Sequence, residues 1–118
     1  MILSILLFGL YVRLRIAVIT DKAFRSYIGN IYLRVLIKTA DDKRGRLLIF
    51  DKGKIRSRKG ALHESDVALV WSDPLTAFRV MISMNEEAMF NAAARGKVKI
   101  EGMAYFLQWF NDGMKLIM

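Results

Sequence analysis

From Ile31 to Lys38 the chain alternates: Ile31, Leu33, Val35 and Ile37 fall on one side, and Tyr32, Arg34, Leu36 and Lys38 on the other. This period of two predicts a strand with one buried face and one mostly wet face. Asp41-Asp42-Lys43-Arg44-Gly45 reads as a turn, and Arg46 to Phe50 as a second strand. Asp51-Lys52-Gly53 is a tight hairpin turn in which Gly53 suits positive φ. Lys54 to Arg58 is a third strand, with Ile55 and Ser57 on one face and Lys54, Arg56 and Arg58 on the other. The short turns make these three strands antiparallel neighbours.

Elsewhere the period is helical. Residues 1–20 are apolar nearly all round, which predicts a helix buried on several sides. Asp21 is placed to cap a short second helix that Gly29-Asn30 ends. After a loop through His63, Val67 to Trp71 is apolar on both faces and reads as a central or covered strand. Asp73-Pro74 starts a helix whose stripe is Leu75, Phe78, Met81 and Ile82. Asn85 caps the next helix, with Glu86 and Glu87 in its first turn, where the helix dipole favours acid. Met89, Phe90 and Ala93 are expected to face inward, and Gly96 ends that helix. Lys97 to Glu101 is a fifth strand, with Val98 and Ile100 on one face. Gly102 turns the chain into a last helix carrying Met103, Tyr105, Phe106, Leu107, Trp109 and Phe110, with Leu116, Ile117 and Met118 at its end. The fold class is α+β: a mostly antiparallel sheet of five strands with helices on one face.

Composition enlarges the interior that these elements must build. One domain spans residues 1–118, and 54% of the residues are hydrophobic, above the usual range. The surplus can fill a dense core, line a cavity, or face a membrane or partner. The apolar run before Arg13 and Arg15 is short for a spanning helix, and its charge follows it, unlike a secretory signal. Packing on the domain is therefore expected, with shallow anchoring in a membrane or a homodimer through residues 1–20 as the alternatives.

Charge is uneven. Residues 1–60 carry 14 Lys or Arg against 4 Asp or Glu, while residues 61–118 carry 5 against 7. Arg34, Lys38, Lys54, Arg56, Arg58, Lys97 and Lys99 lie on strand faces, and Lys43, Arg44 and Arg46 lie near the first turn. Such faces fit a solvated surface or an anionic membrane surface. Nucleic acid is not expected, because only Tyr32 and Phe50 supply aromatics among the basic residues.

Candidate chemistry is sparse. With no cysteine there is no disulfide framework or thiolate site, and a reducing, cytoplasmic setting fits, with peripheral membrane association. His63 stands alone and reads as a loop histidine. Glu86-Glu87 is explained by its place at a helix start. No catalytic residue, metal site or cofactor is expected.

Asp66-Val67-Ala68-Leu69 followed by Ser72-Asp73 and a helix, and Gly96-Lys97-Val98-Lys99-Ile100-Glu101-Gly102 before an apolar terminal helix, resemble the sterol carrier protein type 2 family. The hairpin from Arg46 to Ile55 is similar to that family's second and third strands. The resemblance covers roughly residues 30–118, and the opening helix is more apolar than in better-known members. It implies a five-stranded sheet covered by helices with a hydrophobic tunnel between. It also implies non-enzymatic binding or transfer of a fatty acyl, prenyl, phospholipid or sterol-like ligand. Candidate tunnel residues are Leu75, Phe78, Met81, Ile82, Met89, Phe90, Val98, Ile100, Phe106, Trp109 and Phe110, between the sheet and helices 73–84, 85–95 and 103–118. For each of them, ordinary core is the competing assignment. Seven methionines suit a pocket that accepts varied shapes. Opening of the terminal helix is expected to admit the ligand. A structural or accessory role through a homodimer, partner or membrane, for example in isoprenoid quinone synthesis, is the alternative function.

Overall fold

Five strands pair in the order β3-β2-β1-β4-β5. They are β1 (Tyr32–Thr39), β2 (Gly45–Asp51), β3 (Lys54–Lys59), β4 (Val67–Trp71) and β5 (Val98–Gly102). The helices are α1 (Ile2–Thr20), α2 (Lys22–Ile28), α3 (Pro74–Ser83), α4 (Glu86–Ala94) and α5 (Ala104–Ile117). The computed structural model describes residues 2–83 and 85–117. Met1, Met84 and Met118, which belong to expected helices, lie outside the described residues, as do the side chains of Ile2, Glu86 and Ile117.

The two hairpin pairings of β1 with β2 and β2 with β3 are antiparallel, as is β4 with β5. β1 and β4 are parallel, with Val35 opposite Val67 and Thr39 opposite Trp71. This α+β fold with a mixed, mostly antiparallel sheet is the expected class. Leu33, Val35, Ile37, Leu48, Phe50, Val67, Leu69 and Trp71 point to the helical side and form the main core with Leu3, Leu7, Leu14 and Phe24. The register explains this, because Leu33 pairs with Phe50 and Val35 with both Leu48 and Val67, so one pleat face gathers them all.

The other sheet face departs from the wet surface expected of it. Leu36, Leu47, Ile49 and Ala68 are buried there as a second, smaller cluster. The connection from β3 to β4 must pass β2 and β1, and it passes over this face. Ala61 is buried, and a Cβ built on Gly45 would sit 3.0 Å from the Ala61 Cα. Arg34, Lys38 and Arg56 on the strands form ion pairs with Asp66, Asp42 and Asp51.

The helix starts are set by short polar side chains. Asp21 Oδ1 accepts from the Phe24 N–H at 3.1 Å, and Asn85 Oδ1 from the Glu87 N–H at 2.9 Å. Asp73 Oδ1 accepts from the Thr76 N–H and Oδ2 from the Thr76 hydroxyl, each at 2.8 Å. These bonds hold the Asp73 carboxyl below its ordinary value of 3.8, the Thr76 backbone bond contributing most. The lowered folded pKa means that the stabilisation is complete above the ordinary carboxylate range. It is lost as pH falls through the folded value. Asp73→Ala is expected to cost about 1 kcal/mol at neutral pH. In thermal melts between about pH 5 and pH 2, the gap between variant and parent should close.

Candidate functional site

α1 resolves its apolar circumference into three sides, one of them exposed at Ile5, Phe8, Val12, Ile16 and Ile19. Leu3, Leu7, Leu10, Leu14 and Ala17 are buried, spaced by three or four residues. A third side, on Leu6, Gly9, Leu10 and Arg13, does not close against its neighbours. It forms one wall of a cavity of about 400 Å³. The opposing walls are Val80, Met81 and Ile82 of α3, Met89 of α4, and Phe110, Asn111, Met114 and Lys115 of α5, with Asn85 between α3 and α4. Leu69 of β4 is the sheet's contribution.

The cavity has a direction. Its buried lining residues, Leu10, Leu69, Phe110 and Met114, are all apolar. Its polar lining residues are exposed, in the case of Asn85 and Lys115, or half-buried, in the case of Arg13 and Asn111. Gly9 and Ile82 are also exposed and complete the mouth. The volume falls within the usual range for small-molecule sites, and the pairing of apolar depth with a polar rim suits an amphiphile.

Four of the candidate tunnel residues, Met81, Ile82, Met89 and Phe110, meet around this cavity. The other seven lie elsewhere. Val98 is buried in the main core, while Phe78 and Phe106 are half-buried. Trp109 stacks on Tyr27 at 5.3 Å and meets the edge of Phe50 at 5.2 Å. Leu75, Phe90 and Ile100 are exposed, Phe90 by 74%. The inward face of α4 is thus Met89 and Ala92, not Phe90 and Ala93. α4 lies against α3 and β5 and meets the domain along a single narrow edge, which Ala92 suffices to fill.

Sequence reasoning did not anticipate Leu6, Gly9, Leu10 and Arg13, because an all-round apolar helix gives no sign of which side stays open. Met114 carried a usable signal, standing four residues after Phe110 on one side of α5.

α5 is firmly held. The Tyr27 hydroxyl donates to the Trp109 carbonyl at 2.7 Å, and a Cβ on Gly113 would sit 3.1 Å from the Tyr27 ring. Burial, with Asp112 nearby, pushes the Tyr27 phenol up, so it remains a donor. With α5 held in this way, the cavity mouth at Gly9, Ile82, Asn85 and Lys115 is exposed.

Other chemistry is limited. His63 Nε2 lies 2.9 Å from the Lys59 carbonyl. Among the described residues no group of three or more His, Cys, Asp or Glu is arranged to hold a metal ion.

No protein-family model and no curated protein matches the chain. Among solved structures, it is similar to the UbiJ-SCP2 ubiquinone synthesis protein, with TM-score 0.67 and 12% identity over 92% of this chain and 88% of that one. It is similar to sterol carrier protein 2 from Yarrowia lipolytica in its apo form, with TM-score 0.57 and 18% identity over the same shares. It also matches a segment of the inverting sec-alkylsulfatase Pisa1 from Pseudomonas sp., with TM-score 0.55 and 17% identity over 79% of this chain but 14% of that one. At these identities the likeness shows the fold. The chain has a sterol carrier protein 2-like fold, as the residues around Asp66 and Gly102 indicated.

Proposed function

We propose that this domain binds and carries a lipid without transforming it, holding the aliphatic chain in the cavity between α1, α3, α4 and α5. The observation that carries the reading is the cavity itself, about 400 Å³ with an apolar floor and a polar rim. Each methylene buried there contributes about 0.8 kcal/mol, so a long tail is held with few polar contacts. Arg13 and Lys115 at the rim favour a guest with an anionic head group. Met81, Met89 and Met114 in the walls adapt to tails of different shape. The neighbour described as a ubiquinone synthesis protein supports including prenyl tails among the guests.

Native mass spectrometry of protein purified without detergent should show an added mass that organic extraction removes and that lipid analysis identifies. Delipidated protein should then take up a fluorescent fatty acid in a one-to-one ratio. A protein that is empty as purified and takes up neither fatty acid nor prenol overturns the reading.

A further inference from the structure

The sheet ends on β5, and that edge is open. Ser72 donates its N–H to the Lys97 carbonyl at 2.8 Å, in line with the register that sets Trp71 opposite Val98. Hydrogen-bonded pairs alternate along an antiparallel ladder, so Lys97, Lys99 and Glu101 turn their backbone groups to β4. Val98 and Ile100 turn theirs outward, as Gly102 does its N–H. Among the described residues nothing meets these outward groups. The strand is exposed from Lys99 to Gly102, and Met103 and Tyr105, which follow it, are exposed as well. An edge of this kind is a template for another strand.

The side chains select which strand. Val98 lies in the main core, so Ile100, two residues on, faces the helical side, and Lys97, Lys99 and Glu101 face the other. Among the described residues neither Lys99 nor Glu101 has an ion-pair partner in its own chain. Outward groups bond only to outward groups, which leaves few registers for an antiparallel pairing of β5 with itself. Centring the pair on Lys99 sets Lys99 against Lys99, and centring it on Glu101 sets acid against acid. Centring it on Ile100 sets Lys99 against Glu101 on both sides of the axis. Ile100 then exchanges both backbone bonds with its copy, and each Gly102 N–H meets a Val98 carbonyl, about four bonds in all. The opposite edge of the sheet has no such register. β3 carries Lys54, Arg56 and Arg58 on one face, so a second copy meets like charge, and α1 packs against this strand.

We propose that two copies of this chain join antiparallel through β5 into one continuous sheet, with Ile100 at the axis and Lys99 of each copy paired to Glu101 of the other. The axis stands normal to the sheet, so both helical layers and both cavities lie on the same side. α1 packs on β2, β3 and α3, away from this seam. The contact is thus separate from the cavity, and its test does not depend on what the cavity holds.

Sedimentation of the full chain should show a monomer–dimer equilibrium with a dissociation constant of about 1–50 μM. Lys99→Glu alone and Glu101→Lys alone should each weaken the dimer at least tenfold, because each replaces opposite-charge pairs by like-charge pairs. Carrying both changes in one chain should recover the parent's dimer, and mixing the two single variants should yield a heterodimer. Circular dichroism melts should stay close to the parent's, since both side chains are exposed. The chain has no cysteine, so Ile100→Cys should give a disulfide-linked dimer on mild oxidation, and Lys54→Cys should not. A chain that sediments as a monomer at about 0.1 mM overturns the proposal. So does a dimer indifferent to both single charge changes, or one that forms without cross-linking at position 100.

Discussion

Gly9→Phe is expected to weaken fatty-acid binding by about ten- to a hundredfold and to leave the fold at least as stable. Gly9 sits mid-helix in α1, where glycine is less favourable than other residues by up to about 1 kcal/mol. A Cβ built there meets nothing within 4 Å. Positions 6, 9 and 13 fall on one side of the helix, and all three line the cavity, so a new side chain projects toward the mouth. A phenyl ring there displaces about three methylenes of a guest, or roughly 2–3 kcal/mol of transfer energy. Gly9→Ala is the control: it gains the helix preference but fills little space. Displacement titrations and thermal melts of the three proteins should separate the effects, with stability rising in both variants and binding falling chiefly in Gly9→Phe. A Phe variant that melts higher and binds a fatty acid as tightly as the parent would place the lipid elsewhere.

The contrast between α1 and the sheet shows what a sequence can convey about such a site. The strands were legible because alternation and turn residues are local: Asp51-Lys52-Gly53 forms the expected hairpin, with Gly53 at φ +90°. β4, apolar on both faces, lies between β1 and β5, as a covered strand should. Leu36, Leu47 and Ile49 blurred the alternation of β1 and β2, and that blur was the trace of the crossing loop that buries them. The cavity was less legible. An empty volume belongs to no residue, since it depends on how far α1, α3, α4 and α5 stand apart. The large side chains Phe90 and Trp109 drew attention as lining, yet one faces water and the other wedges α5 onto Tyr27 and Phe50. Gly9, which lacks a side chain, marks the mouth.

Gly102→Ala is expected to destabilise the protein by about 2–4 kcal/mol, far more than the same change at Gly96. Both glycines have positive φ, +94° and +73°. They differ in what a methyl group would meet. At Gly96 there is nothing within 4 Å, so the cost is the backbone preference alone. At Gly102 the Cβ would collide with the Asp66 carbonyl oxygen and lie 3.0 Å from the Val67 Cα. That backbone is poorly placed to retreat. The Asp66 N–H donates to the Arg34 carbonyl at 2.9 Å, and Asp66 Oδ2 accepts from the Arg34 N–H at 2.8 Å. These bonds fix the entry of β4 beside β1. Relief of the clash must therefore come from separating β5 from β4, where Gly102 pairs with Val67. Chemical denaturation should rank the variants parent, Gly96→Ala, Gly102→Ala, with the last melting about 10 °C below the parent. Equal losses at the two sites would show that φ alone governs them and that the close approach to Asp66 carries no cost. Because β4 also supplies Leu69 to the cavity floor, a β4 shifted by the added methyl should lose lipid affinity along with stability. At Gly9 the same two quantities move in opposite directions.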